Sequence, residues 1–188
     1  MTFLIFNDIF NIFSQKLYNF LAQPNCLVNL DLSSTECCLD TVFGALLRGC
    51  TQNLAHLNLS RNQFTSKKNK DVNVPPSYKA FFSSTIGLKT MNLSFNKLPS
   101  EALKAMLLGF ACNELATDVR LDLSSNDLKS NGATVLEFSI ADIRCISGLD
   151  LSDNNFDCDI ANVINSIGKN KSIKYLSIGR NFSNIKLK

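Results

Sequence analysis

The phrase LVNLDLSST, Leu27 to Thr35, returns five times along the chain. It reads LAHLNLSRN at Leu54 to Asn62, LKTMNLSFN at Leu88 to Asn96, DVRLDLSSN at Asp118 to Asn126, ISGLDLSDN at Ile146 to Asn154 and IKYLSIGRN at Ile173 to Asn181. Aligned as LxxLxLxxN, the fourth position is Leu30, Leu57, Met91, Leu121, Leu149 and Leu176, and the sixth is Leu32, Leu59, Leu93, Leu123, Leu151 and Ile178. All are large and apolar. The ninth is Thr35 and then Asn62, Asn96, Asn126, Asn154 and Asn181, at intervals of 27, 34, 30, 28 and 27 residues. This is the pattern of a leucine-rich repeat of the long, helix-containing kind.

Each part of the phrase has a physical reading. Apolar residues two apart make a short strand with one buried face, because successive side chains point to opposite sides. The asparagine stands where the chain leaves the strand; its amide carries two donors and an acceptor for backbone groups that the turn would otherwise bury unsatisfied. Thr35 is expected to replace it only in part. Between strands the apolar period changes from two to 3.6. Leu39, Val42, Phe43, Leu46 and Leu47 form one helical stripe, Leu103, Met106, Leu107 and Phe110 a second, and Ile160, Val163, Ile164 and Ile167 a third. Ser100, Ser130 and Asp157 or Asp159 are the expected helix starts, with oxygen-bearing caps. The predicted fold is an α/β leucine-rich-repeat solenoid of the ribonuclease-inhibitor-like type, with parallel strands on the concave face and helices on the convex face. A helix is wider than a strand spacing, so stacking the units bends the array.

Residues 27–188 are read as six repeats, C-terminally incomplete because little chain follows Asn181 to cover Leu176 and Ile178. Residues 1–26 are read as an amphipathic helix or part of a preceding repeat, with Phe3, Phe6, Phe10, Phe13, Leu17 and Phe20 on the packing face. The longest interval holds SKKNKDVNVPPS, Ser66 to Ser77, whose Lys67, Lys68 and Lys70 mark a solvated convex loop.

Composition narrows the function. The chain has 188 residues, 45% hydrophobic and 19% charged, with a formal net charge of +3, which does not suggest a nucleic-acid partner. Its first apolar stretch is interrupted by polar residues and lacks a basic start, so neither a membrane span nor a secretory signal is expected. The seven cysteines lack CxxC spacing and read as small buried hydrophobes in a cytosolic chain. No cofactor or metal is expected. A single histidine, His56, falls at an exposed strand position, and no phosphate-binding glycine motif occurs. The carboxylate column Asp31, Asp122 and Asp150 and the sequons at Asn58, Asn92 and Asn181 follow from the wording of the repeat. The expected function is non-enzymatic protein binding, on the outward strand positions: Asn29, Asp31, His56, Asn58, Thr90, Asn92, Arg120, Asp122, Asp150, Tyr175 and Ser177. Tyr175 and Arg120 are the expected anchors, since Tyr and Arg dominate interface hot spots.

Words outside the consensus carry a more specific likeness. LDTVFGALLRGC (Leu39 to Cys50), VPPSYKAFFSS (Val74 to Ser84), EALKAMLLGFACN (Glu101 to Asn113), SNGATVLE (Ser130 to Glu137) and KSIKYLSIGRNF (Lys171 to Phe182) together resemble the CARMIL family, from about Leu27 onward. The resemblance implies a cytosolic scaffold that regulates actin capping protein at the plasma membrane and leading edge. In it the repeats lie between a membrane-binding PH-like domain and a helical dimerisation segment, followed by a basic tail that binds capping protein. None of those flanking parts is expected in this chain, so no functional residue of the family transfers to a numbered position. Two other readings stand beside it: a ribonuclease-inhibitor-like or receptor-type repeat domain binding an unrelated protein through its concave face, and a GTPase-activating repeat protein using Arg61 or Arg180.

The cysteine pattern makes a direct prediction. All seven thiols are expected to be reduced in cells, giving the same mobility on reducing and non-reducing gels. An intramolecular bridge found by mass spectrometry after rapid lysis and thiol blocking would contradict it.

Overall fold

A computed structural model describes residues 15–64 and 74–182. Six short strands, β1 (Asn29–Asp31), β2 (His56–Asn58), β3 (Thr90–Asn92), β4 (Val119–Asp122), β5 (Ile146–Asp150) and β6 (Tyr175–Ser177), form one parallel sheet in sequence order. A short helix, α1, occupies residues 15–21 ahead of β1. Between successive strands run α2 (Leu39–Gly49), α3 (Pro76–Ser84), α4 (Ser100–Ala111), α5 (Lys129–Ser139) and α6 (Ile160–Lys169). This is the predicted leucine-rich-repeat solenoid. Among the described residues, no helix is long and apolar enough to cross a membrane.

Positions four and six supply the strand side of a continuous core. Leu57, Met91, Leu121 and Leu149 are buried, as are Leu32, Leu59, Leu93, Leu123 and Leu151. The helices close it from the other side. Phe43, Tyr78, Phe81, Phe82 and Phe110 interlock across α2, α3 and α4 with ring centroids 4.8 to 5.2 Å apart, several edge to face. Gly109 lets α4 lie against α3: a Cβ there would stand 2.6 Å from Cβ of Phe82 and 2.7 Å from the Lys79 carbonyl.

The ninth-position asparagines connect the repeats. Nδ2 of Asn62 donates to the carbonyls of Leu32 (2.7 Å) and Leu59 (3.0 Å), so it spans two repeats. Asn96 does the same for Leu59 and Leu93, Asn126 for Leu93 and Leu123, Asn154 for Leu123 and Leu151, and Asn181 for Leu151 and Ile178. From Asn96 onward each Oδ1 accepts the backbone N–H of the ninth-position asparagine before it: Asn62 on Asn96, Asn96 on Asn126, Asn126 on Asn154 and Asn154 on Asn181, while Asn62 Oδ1 accepts the N–H of Cys37. All five are buried. Thr35 needs less, because β1 is the first strand of the sheet: its hydroxyl donates to the Leu32 carbonyl at 2.7 Å, and no earlier strand among the described residues calls for a second bond. The residue before each asparagine, and Ser34 before Thr35, takes left-handed backbone, at Ser34, Arg61, Phe95, Ser125, Asp153 and Arg180. That turns the chain away from the strand.

Several expectations are corrected. Ser100 does open α4, and Asp159 stands at the cap position of α6, after a turn of 3-10 helix, Asp157–Asp159, but α5 starts at Lys129 rather than Ser130. None of α2 to α6 carries a side-chain cap bond. The next repeat supplies the acceptor instead: Leu39 N–H donates to the Gln63 carbonyl, Lys129 to Asn154 and Asp157 to Asn181, at 2.9 to 3.1 Å. In α1 the buried face is Leu21 with half-buried Leu17 and Tyr18, and Phe20 is 51% exposed, so the expected stripe is out of register there. Phe3, Phe6, Phe10 and Phe13 lie outside the described residues, as do Lys67, Lys68 and Lys70. Pro76 and Ser77, read as loop, open α3, with Pro75 fixing extended backbone at the cap. Ile164 is exposed while its stripe partners Ile160, Val163 and Ile167 are buried. Cys37, Cys50 and Cys145 are buried, and burial pushes the Cys145 thiol up to about 11; Cys26, Cys112 and Cys158 are exposed, lying beyond the helix and strand faces that make the core. Leu176 is 41% exposed against 3% for Leu149, since β6 has a neighbouring strand on one side only among the described residues.

The ladder predicts a large effect from one atom group. Asn126→Ala leaves the N–H groups of Asn96 and Leu98 without an acceptor and takes from the Leu93 and Leu123 carbonyls one of the two asparagine donors that each holds. At about 1–3 kcal/mol per unsatisfied buried group, with partial relaxation, a loss of about 3–5 kcal/mol is expected in urea unfolding. Tyr78→Phe is the contrast: the buried hydroxyl has no partner, and its removal should cost less than about 1 kcal/mol or stabilise. Equal losses in the two variants would contradict the account.

Candidate functional site

The parallel register aligns equivalent residues into rows across the concave face. The first row is Asn29, His56, Thr90, Arg120, Gly148 and Tyr175, and the second is Asp31, Asn58, Asn92, Asp122, Asp150 and Ser177. Between them they border a curved trough of about 1140 Å³. All eleven residues expected at this face line it, joined by Gly148 and Lys174, which the sequence reading did not include. Gly148 was not legible as a site residue because it contributes space rather than a side chain. Lys174 stands one place before the outward row and reaches the trough by its length.

The second row is half structural. Asp31, Asn58, Asn92, Asp122 and Asp150 each accept, through Oδ1, the backbone N–H of the serine two residues on, at 2.8 to 3.2 Å. These turns explain why the repeat keeps Asp or Asn there. Ser177, the last member, pairs its hydroxyl with that of Ser152 at 2.7 Å. Asn58 Nδ2 also donates to Oδ2 of Asp31. The Ser33 hydroxyl and N–H, with a smaller contribution from Asn58, hold the Asp31 carboxyl below the usual aspartate range. The sequons at Asn58 and Asn92 are thereby tied to the turn, and Asn181 is buried in the ladder.

The first row is freer. His56 pairs Nδ1 with the Thr90 hydroxyl at 2.8 Å. The Arg120 guanidinium lies over the Tyr175 ring, 5.3 Å from its centroid, and Tyr175 is 61% exposed. Those two side chains come from β4 and β6, with Gly148 of β5 between them. Lys174 makes an exposed ion pair with Asp118 at 3.4 Å. Arg61 and Arg180 sit on the turns that leave the strands, where Arg61 stacks on Phe95 at 4.5 Å. Asparagines outside the phrase do further fixing: Asn113 donates to the Phe82 and Thr85 carbonyls and accepts from Leu115 and Ala116, and Asn170 acts likewise on Ile140, Ile143, Ser172 and Ile173. Their only sequence signal is an Asn shortly after a helix. The surface offers hydrogen bonds, both signs of charge and an aromatic ring, which suits docking of a polypeptide.

The family described as CARMIL family, LRR domain, matches residues 7–188. That match begins well ahead of Leu27, where the resemblance read from the sequence was expected to start. The chain is 49% identical over 175 residues to human "Capping protein, Arp2/3 and myosin-I linker protein 3", covering 93% of this chain and 12% of that protein. It is 41% identical over 170 residues to mouse "Capping protein, Arp2/3 and myosin-I linker protein 2", covering 90% and 13% respectively. It is 34% identical over 177 residues to "Protein CARMIL" of Dictyostelium discoideum, covering 93% and 16%. The chain thus spans a small part of the length of these relatives.

The Asp31 environment can be checked directly. Carbon-detected NMR titration should give its carboxyl a midpoint below the ordinary value of about 3.9, and Ser33→Ala should move it upward. The sign follows from the ionised form being the one bonded: its stabilising contribution is present at neutral pH and is lost as pH falls through the lowered midpoint. A midpoint at or above the ordinary value would contradict the turn geometry.

Proposed function

The chain belongs to the CARMIL family, and on that premise we propose that it is a non-enzymatic protein-interaction array of an actin capping protein regulator, docking a partner on its concave face. The observation that carries the docking reading is the trough itself, which runs unbroken over all six strands and presents outward side chains of both charges. Rigid strands hold those groups in fixed rows, so a partner that matches them orders few side chains of the array on binding. The names of the mammalian relatives, which speak of linking capping protein, Arp2/3 and myosin-I, support a place in actin assembly. The proposed setting is the cytoplasm, at the plasma membrane and leading edge, in lamellipodium formation and cell migration. Capping-protein binding, membrane contact and dimerisation are assigned to parts of the longer relatives that this chain does not span.

The test is barbed-end actin polymerisation in the presence of capping protein. The chain alone is expected to leave capping unchanged, while the full-length human relative carrying this chain in place of its matching segment relieves it as the unaltered relative does. Relief by the isolated chain would overturn the division of labour, and an inactive but folded chimera would overturn the family role.

A further inference from the structure

Three irregularities of the concave face coincide at one point. The first row carries a side chain at every position except Gly148. The only register shift in the described sheet lies beside it: Val119 pairs with Ile146 but Arg120 with Gly148, so β5 bulges at Ser147. Across the resulting slot Arg120 reaches Tyr175. Gly148 does not have left-handed backbone, so its conformation would accept any residue. What it provides is room, since a Cβ there would stand 3.1 Å from Cγ of Arg120. Bulges commonly re-aim a side chain for binding.

We propose that the Arg120–Gly148–Tyr175 row is the reading point of the trough, and that it takes an extended protein segment in which an acidic side chain is followed directly by a basic one. The proposal rests on the concave-face docking reading above and adds the chemistry of the partner. Arg120 has no ion pair among the described residues, although Asp122 and Asp150 share its face. The Tyr175 ring supports one face of the guanidinium and leaves its edge donors to the trough, an arrangement that accepts a carboxylate through two parallel bonds with little further ordering.

Asp122 and Asp150 stand opposite each other in register, and each has committed only Oδ1 to its turn. Like charges so placed repel, and a cation between them relieves the repulsion. They lie two strand positions beyond the first row, about 7 Å along the strands. In an extended segment laid across the strands, neighbouring side chains diverge to opposite sides. One then faces Arg120 and the next faces the Asp122–Asp150 pair. A segment of one sign satisfies one side and is repelled by the other.

The experiment uses the full chain, isotope-labelled, and three fluorescein-tagged dodecapeptides: alternating Glu-Lys, alternating Glu-Ser and alternating Lys-Ser. The Glu-Lys peptide is expected to bind tightest and to shift the Arg120 Nε–Hε and Tyr175 ring resonances. Arg120→Gln, an exposed change, should weaken it about tenfold or more. In Gly148→Val the free protein should lose the ring-current shift of the Arg120 side chain, and affinity should fall with Asp122 and Asp150 intact. Tighter or equal binding by either single-sign peptide, with the same trough resonances moving, would overturn the acid–base assignment while leaving concave docking in place. Shifts confined to convex-face helices would overturn both. No binding by any peptide, or unchanged binding in Arg120→Gln, would also overturn the proposal.

Discussion

Each ninth-position asparagine ties the carbonyl ending its own strand to that of the strand before, and from Asn96 onward its oxygen receives the N–H of the preceding asparagine. This chain of amides is what the array depends on. Strands of three to five residues have few ladder bonds of their own, and the turns after them leave backbone groups inside the protein. A buried polar group without a partner costs more than a made bond gains, so the ladder acts chiefly by preventing that loss. It also fixes the stagger between repeats, because one Nδ2 reaches two carbonyls only when neighbouring strands are in register.

That register produces the concave face. Once the position-six carbonyls are aligned, positions three and five align too, and the trough becomes two rows instead of scattered side chains. The second row is partly spent on turn formation, so Asp31, Asp122 and Asp150 serve the fold with one oxygen and face the trough with the other. The first row has no such duty. Its residues vary from His56 to Arg120 to Gly148 to Tyr175, and on the docking proposed above that variation is what would distinguish a partner.

Sequence periodicity made the inward and outward strand positions legible, because burial at positions four and six and the turn after position nine recur in every repeat. The helices with strong stripes, α2 and α4, were legible for the same reason. What escaped depends on contacts between repeats. Helix starts could not be read from caps because the neighbouring turn supplies the acceptor, as Gln63 does for Leu39. The buried face of α1 is set by what it packs on, which places Leu21 inside and Phe20 outside. Gly148 reads as a gap in the consensus until the register sets it between Arg120 and Tyr175.

Native-state hydrogen exchange at single-amide resolution tests the ladder most directly. The N–H groups of Asn62, Asn96, Asn126 and Asn154 lie in turns that would exchange quickly if each repeat were held only by its own strand. If the amide chain holds the array, those protons exchange together, close to the rate set by global unfolding, and removing the Asn126 side chain lowers protection at Asn96 and Leu98 first. Fast, independent exchange at the four asparagines, or a loss of protection in the Asn126 variant no greater at Asn96 and Leu98 than elsewhere, would contradict it.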